Sequence, residues 1–394
     1  MRLSRWLALL RNLSISFRSP SRLPILIYDR EGAEVLLQRL PAEKAGVLDV
    51  RKESLNIWVL FRTLLKGKLS YRHYLDEYIR AVSPVCLVTF IDNNPEFYRI
   101  KQRFPAITTV FVQNGTRGEI GDVFGNTLPD PNFKVDYMLV HGDAVGRKYE
   151  SWIRGNSLTI GSFKNNEMDY NSASRGRRPG ILFISTFLVP PPDRTEPLWI
   201  ENDGKTTYWD DFYFAESVIL PFLKDYSLRN NIPIQVCGRL QEGHETEEAY
   251  YGAFLDGCNW EFLRRAGKYS SYDYIDKSSL VLNIDSTLGY EALARGCRVV
   301  FFSIREASLK SVATRFGWPA GLPARGPFWT NEESPEVFED ILDSVLAMSD
   351  NQWNEVRKRA IPEVIDLDPS NQRFSRLIQS FLQPSRPEEV ILAN

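Results

Sequence analysis

At 394 residues the chain exceeds one comfortable hydrophobic core and predicts two domains. With 48 Lys and Arg against 50 Asp and Glu, it lacks the basic excess of a general nucleic-acid binder. Four widely spaced cysteines without a C-x-x-C pair exclude a zinc ribbon or a disulfide scaffold and suit a reducing cytoplasm, and no run of 18 apolar residues predicts a transmembrane helix.

The first segment, 1–20, places Leu3, Trp6, Leu7, Leu10 and Leu13 at helical spacing with Arg2, Arg5, Arg11 and Arg18 between them. Such an amphipathic segment either packs on the body of the protein or lies on an anionic membrane; it lacks the apolar core and cleavage site of a secretory signal. Residues 21–163 then alternate apolar strands (23–29, 45–50, 85–92, 107–115, 136–144 and "SLTIGS") with helical patterns such as "YRHYLDEYIRAVS". Val/Ile-rich strands between helices predict a parallel sheet covered on both faces. A polar stretch rich in Asn, Ser, Arg and Gly, 164–180, reads as a linker. A second series follows over 181–360, with strands at 181–188, 232–240, 279–285 and 298–304. Two amphipathic helices follow, at roughly 335–360 and 370–383, the second lying in a C-terminal helical tail, 361–394. The fold class is therefore α/β, with two doubly wound, Rossmann-like domains and a cleft beyond the carboxyl ends of the strands.

"NIDSTLGYEALARGCRVVFF", 283–302, joins a strand to a short helix through a polar turn. Such a helix start is either simply capped or a phosphate site, since its free N–H groups and partial positive charge suit an anion. Ser286 and Thr287 add hydroxyl donors, Gly289 lets a ligand approach the backbone, and Glu291, one turn on, suits the two hydroxyls of a ribose. A second turn after a strand, Gly238-Arg239, strengthens the anion reading.

"DSTLGYEALARG" with "VVFFSIR" resembles the donor-nucleotide segment of GT-B glycosyltransferases, and more narrowly a group of bacterial surface-polysaccharide biosynthesis proteins. "GSFKNNE" (161–167), "ILFISTF" (181–187) and "CGRL" (237–240) extend the likeness. The chain also resembles retaining β-Kdo transferases, which use CMP-Kdo; "NDG" (202–204) is similar to an acidic-acidic-Gly signature of related sialyltransferases, though Asn202 departs from it and no histidine precedes a proline. The resemblance implies a GT-B fold, a nucleotide held mainly by the C-terminal domain, an acceptor domain before it, and no obligatory metal or other cofactor beyond the donor substrate. Leu288 and Ser303 complete the donor set it implies.

Sugar transfer needs a carboxylate near the anomeric carbon, as base or as nucleophile. Candidates near strand ends are Glu167, Asp203, Asp210 and Asp211, of which the last two also suit helix capping. Gln113, Asn114, Arg117 and Lys164 are candidate substrate contacts, the cations to meet a phosphate or the carboxylate of a keto-sugar acid. His141 follows a strand and suits either a base or a packed histidine. The sequence thus predicts a cytoplasmic, metal-independent glycosyltransferase that moves a sugar, CMP-Kdo being the first donor, to a lipopolysaccharide O-antigen or capsule on the inner face of the membrane. Alternatives are a UDP-sugar hexosyltransferase or 2-epimerase of the same fold, or a non-catalytic assembly partner.

Overall fold

The computed structural model describes residues 14–51, 54–67, 70–169 and 178–383. Parts of three expectations lie outside the described residues: the amphipathic segment over 1–13, the linker over 170–177 and the tail over 384–394.

In chain order the N-terminal lobe carries β1 (Ser14–Ser16), β2 (Ile25–Tyr28), β3 (Ala45–Leu48), β4 (Ser54–Asn56), β5 (Cys86–Thr89), β6 (Thr108–Val112), β7 (Lys134–Val140) and β8 (Arg154–Thr159). Six of these form one parallel sheet in the order β3-β2-β5-β6-β7-β8, while β1 and β4 pair in parallel beside it. Alternate residues of the strands serve opposite layers. Leu26, Tyr28, Leu87, Phe111 and Met138 join one core cluster, and Ile25, Ile27, Cys86, Val88, Val110 and Leu139 join the other. Burial on both faces explains why these strands read as continuous apolar runs.

The C-terminal lobe carries β9 (Arg178–Ile184), the hairpin β10 (Trp199–Ile200) and β11 (Thr206–Thr207), then β12 (Ile234–Cys237), β13 (Trp260–Leu263), β14 (Ser278–Asn283), β15 (Val299–Phe302), β16 (Arg325–Gly326) and β17 (Trp329–Thr330). Its seven-stranded sheet has the order β13-β12-β9-β14-β15-β17-β16, parallel except for the β16–β17 pair. Both sheets start in the middle and wind outward both ways. Strand order therefore reverses between β2 and β5 in one lobe and between β9 and β14 in the other, where open α/β sheets leave a crevice.

Two expectations about connections change. Residues 163–169 are knitted into the structure: Phe163–Asn166 forms a helical turn, and buried Asn166 donates to Ile160 O at 2.7 Å and Asn371 Oδ1 at 2.9 Å. The last helix among the described residues, Gln372–Leu382, returns to the N-terminal lobe, where buried Phe374 meets Phe163 edge-on at 4.9 Å. A strongly one-sided helix has an apolar stripe to bury, and the N-terminal sheet face supplies the partner.

Candidate functional site

The crevice between the lobes holds two abutting cavities, of about 400 and 160 Å³. Thr116, Phe212 and Asp285 line both. The larger lies at the C-terminal switch point, between Ser185-Thr186 after β9 and Asp285-Ser286-Thr287 after β14.

The helix Thr287–Arg295 opens into this larger cavity. Gly296, at φ 90°, ends it in the left-handed conformation that glycine adopts without strain. At its start Ser286 is extended and its side chain makes no capping hydrogen bond. The first N–H groups of a helix have no intrahelical acceptor, so this end keeps its capacity for an anion. The Thr287 hydroxyl is engaged across the crevice: Oγ1 accepts from the Thr116 N–H at 2.9 Å and meets the Thr116 hydroxyl at 3.1 Å. Gly289 has a different role from the one its sequence position suggests. A Cβ there would sit 2.3 Å from the Asn283 side chain, so glycine admits the strand-end asparagine that ties β14 to the turn by donating to Ser286 O and accepting from Ser286 N.

Cations surround the cavity. Arg239 donates to the Thr186 and Phe187 carbonyls, Arg265 reaches the Arg239 carbonyl at 3.4 Å and has a buried Nε without a partner among the described residues, and Lys164 lies 5.4 Å over the Phe90 ring. Among the described residues none of these three pairs with a carboxylate, whereas Lys268 pairs with Glu34 at 3.0 Å. Two acids line the wall. Asp285 is held by Arg305, a fully buried guanidinium that also donates to Glu216 at 2.8 Å and Thr186 at 2.9 Å. Glu291 accepts from Ser162 at 2.5 Å; burial pushes its pKa up against the lowering by Ser162 and Tyr272. Lys164, Arg239 and Arg265 outnumber these two acids, so the cavity's balance is positive.

The smaller cavity is bounded on the N-terminal side by Gln113, Arg117 and His141. His141 is 2% exposed and its Nε2 has no partner among the described residues. Burial, with the Arg117 charge, outweighs Asp92 and pulls its pKa down to about 4, so it is a neutral base at pH 7. The loop before it is locked: Gln113 accepts from the His141 N–H at 2.8 Å and donates to Gly115 O at 2.7 Å.

Of the residues read from sequence, Asn114, Lys164, Gly238, Arg239, Ser286, Thr287, Leu288 and Glu291 line the larger cavity, and Gln113 and Arg117 the smaller. Ser303 does not line either; it is buried and donates to Ile284 O at 2.5 Å, binding β15 to the end of β14. Arg117, at the wall of the smaller cavity, is also a clamp. Its guanidinium holds fully buried Asp92 at 2.7 and 2.5 Å, because a carboxylate without water needs a bidentate partner. None of the four candidate catalytic carboxylates reaches either cavity. Glu167 is gripped by Arg39 through two 2.6 Å hydrogen bonds and by Asn371 at 2.6 Å. Asp203 caps the β10–β11 turn by accepting from Lys205 N at 2.9 Å. Asp210 and Asp211 are exposed in the first turn of the short helix Trp209–Phe212, where negative charge suits the dipole. Thr116, Arg265 and Asp285 were absent from the sequence-based set; a Thr within "QNGTRG" and an acid immediately before "STLG" were the available signals.

These paired Rossmann-like lobes with a crevice at their switch points define the GT-B fold. The same fold occurs in UDP-N-acetylglucosamine 2-epimerase structures. One is 11% identical, with a TM-score of 0.52, and the match covers 94% of this chain and 100% of that one. Another, from Methanocaldococcus jannaschii, is 9% identical, with a TM-score of 0.51 and 91% and 99% covered. The wall teichoic acid polymerase TagF is similar at 11% identity and a TM-score of 0.47, with 92% and 89% covered. Residues 110–382 match the model of a family described as "putative O-antigen biosynthesis protein", and the chain belongs to that family. No curated protein matches it in sequence. Among the described residues no helix is long and apolar enough to cross a membrane, and no group of three or more His, Cys, Asp or Glu is disposed to hold a metal ion.

Proposed function

We propose that the protein is a glycosyltransferase of surface-glycan assembly, taking a sugar from a nucleotide-activated donor to a growing O-antigen or capsule chain. The observation that carries this reading is the larger cavity: an uncapped helix start at the switch point, facing Lys164, Arg239 and Arg265, three cations whose side chains have no carboxylate partner among the described residues. The leaving nucleotide's phosphate charge would be met there by the N–H groups of Thr287 and Leu288 and by those cations. Neutral His141 in the adjoining cavity would take the proton of the acceptor hydroxyl. The count of cations fits a donor with more than one anionic group, either a nucleoside diphosphate sugar or a keto-sugar acid such as CMP-Kdo.

A 2-epimerase would share the larger cavity but needs no second compartment, and the smaller cavity with its unpartnered histidine is what favours transfer. Calorimetric titration with CMP, UDP and GDP, followed by turnover of the matching sugar nucleotide with and without glycan acceptor, tests the proposal. Acceptor-dependent turnover supports it, acceptor-free conversion of a UDP-sugar favours epimerisation, and no nucleotide binding leaves a non-catalytic assembly partner. A cytoplasmic position on the inner membrane face goes with this proposal, since activated sugars are its substrate.

A further inference from the structure

Five of the large apolar side chains that the described residues expose fall on one patch of the N-terminal lobe, far in sequence from the crevice residues. They are Ile15 at 52% exposure and Phe17 at 73% beside β1, and Phe61, Leu64 and Leu65 on the helix Ile57–Leu65. Val59 and Thr63 bury one stripe of that helix, and Ile57, Phe61, Leu64 and Leu65 recur at i, i+4, i+7 and i+8 on the opposite side. An amphipathic surface helix would turn polar residues outward there. Asn56 holds the two segments together. It caps the helix by accepting from Val59 N at 3.0 Å, while its Nδ2 donates to Ser16 Oγ at 2.8 Å and Arg18 O at 2.9 Å. Scattered exposed apolar residues need no explanation, but a contiguous group marks an interaction surface.

The charge around the patch selects the partner. Arg18 and Arg22 are exposed between β1 and β2, while Arg62 and Lys66 on the helix pair with Glu77, at 3.8 and 2.7 Å. The described residues over 14–28 and 54–82 contain only two acids, Asp76 and Glu77, both buried. We propose that this face seats the protein on an anionic lipid bilayer, with Phe17, Phe61 and Leu65 entering the interface and Arg18 and Arg22 meeting lipid phosphates. Apolar insertion and cation attraction together give stable peripheral binding where either alone is weak. The proposal is independent of what the crevice binds.

Vesicle co-flotation of the full chain tests it, with phosphatidylcholine alone and with phosphatidylcholine plus phosphatidylglycerol. The protein should float with the anionic vesicles and not with the neutral ones. A Phe17→Ser/Phe61→Ser/Leu65→Ser variant should lose binding by about tenfold or more, with melting temperature and nucleotide affinity unchanged. A chain lacking residues 1–13 should keep part of its anionic-vesicle binding. Variant binding equal to that of the natural chain overturns the proposal, as does equal flotation with both vesicles. Complete loss on removing 1–13 alone would place binding outside this face. A shift from dimer to monomer in the variant, with flotation intact, would make the face a contact between copies and overturn it as well.

Discussion

Thr116 and Thr287 join the two lobes across the crevice, the Thr116 N–H donating to Thr287 Oγ1 at 2.9 Å and the two hydroxyls lying 3.1 Å apart. The hydroxyl that sequence assigns to a phosphate is therefore also the latch between lobes. Thr287→Val keeps the shape and removes the oxygen. It should lower nucleotide affinity by roughly 1–2 kcal/mol, the order of one hydrogen bond to a charged group. Thr116→Ala, which leaves the backbone N–H in place, should cost less than about threefold. Calorimetric titration of both variants with the preferred nucleotide checks the difference.

The cations around the larger cavity make a second prediction. Among the described residues, Arg265 has a buried, unpartnered Nε and the Arg239 guanidinium bonds only to carbonyls. Arg239→Gln and Arg265→Gln should each weaken nucleotide binding by about tenfold and flatten its dependence on salt, since a charge-assisted contact is lost. Affinity measured at two ionic strengths reads both effects; a variant with undiminished affinity would remove that arginine from the site.

His141 gives a pH prediction for stability and for rate. Its pKa falls from 6.5 in a free side chain to about 4 in the folded protein. Between those values the unfolded chain holds a proton that the folded one lacks, so stability is fully present above pH 6.5 and falls as pH drops toward 4. Upper-bound linkage for this one group is about 3 kcal/mol. Urea unfolding over that range should show the loss, and His141→Asn should flatten it. If His141 is the base, kcat/KM should hold well below pH 6.5 and decline near 4, and His141→Asn should lose turnover with nucleotide affinity intact.

Glu167 should behave as a structural residue. Arg39 and Asn371 already use both its oxygens. Glu167→Gln should cost roughly 1–3 kcal/mol of stability by leaving a part-buried guanidinium poorly matched, while turnover at a permissive temperature stays within about twofold. Thermal melts and initial rates on the same preparation separate the two.

The sheets were legible because two-sided burial writes apolar runs into β2, β5, β6, β9 and β14. The less buried β13 was missed for the converse reason: "WEFL" has only Leu263 buried and reads like loop. The helix Ile57–Leu65 escaped because its outward face is as apolar as its inward one, so the run lacks the polar outer face that marks a surface helix. In the site, the residues fixed by local geometry were legible: Ser286, Thr287 and Leu288 occupy a helix start that any strand-turn-helix pattern would produce. Carboxylates were not. What separates Glu167 from a site acid is Arg39, 128 positions away. What makes Arg117 a clamp is Asp92. Long-range partners of this kind leave no mark at the residue's own position.

A structure of the full chain bound to its preferred nucleotide tests the central claim most directly. The account predicts a phosphate within about 3 Å of the Thr287 and Leu288 N–H groups, flanked by Arg239 and Arg265. A phosphate bound elsewhere, with the Thr116–Thr287 latch closed over an empty helix start, would contradict it.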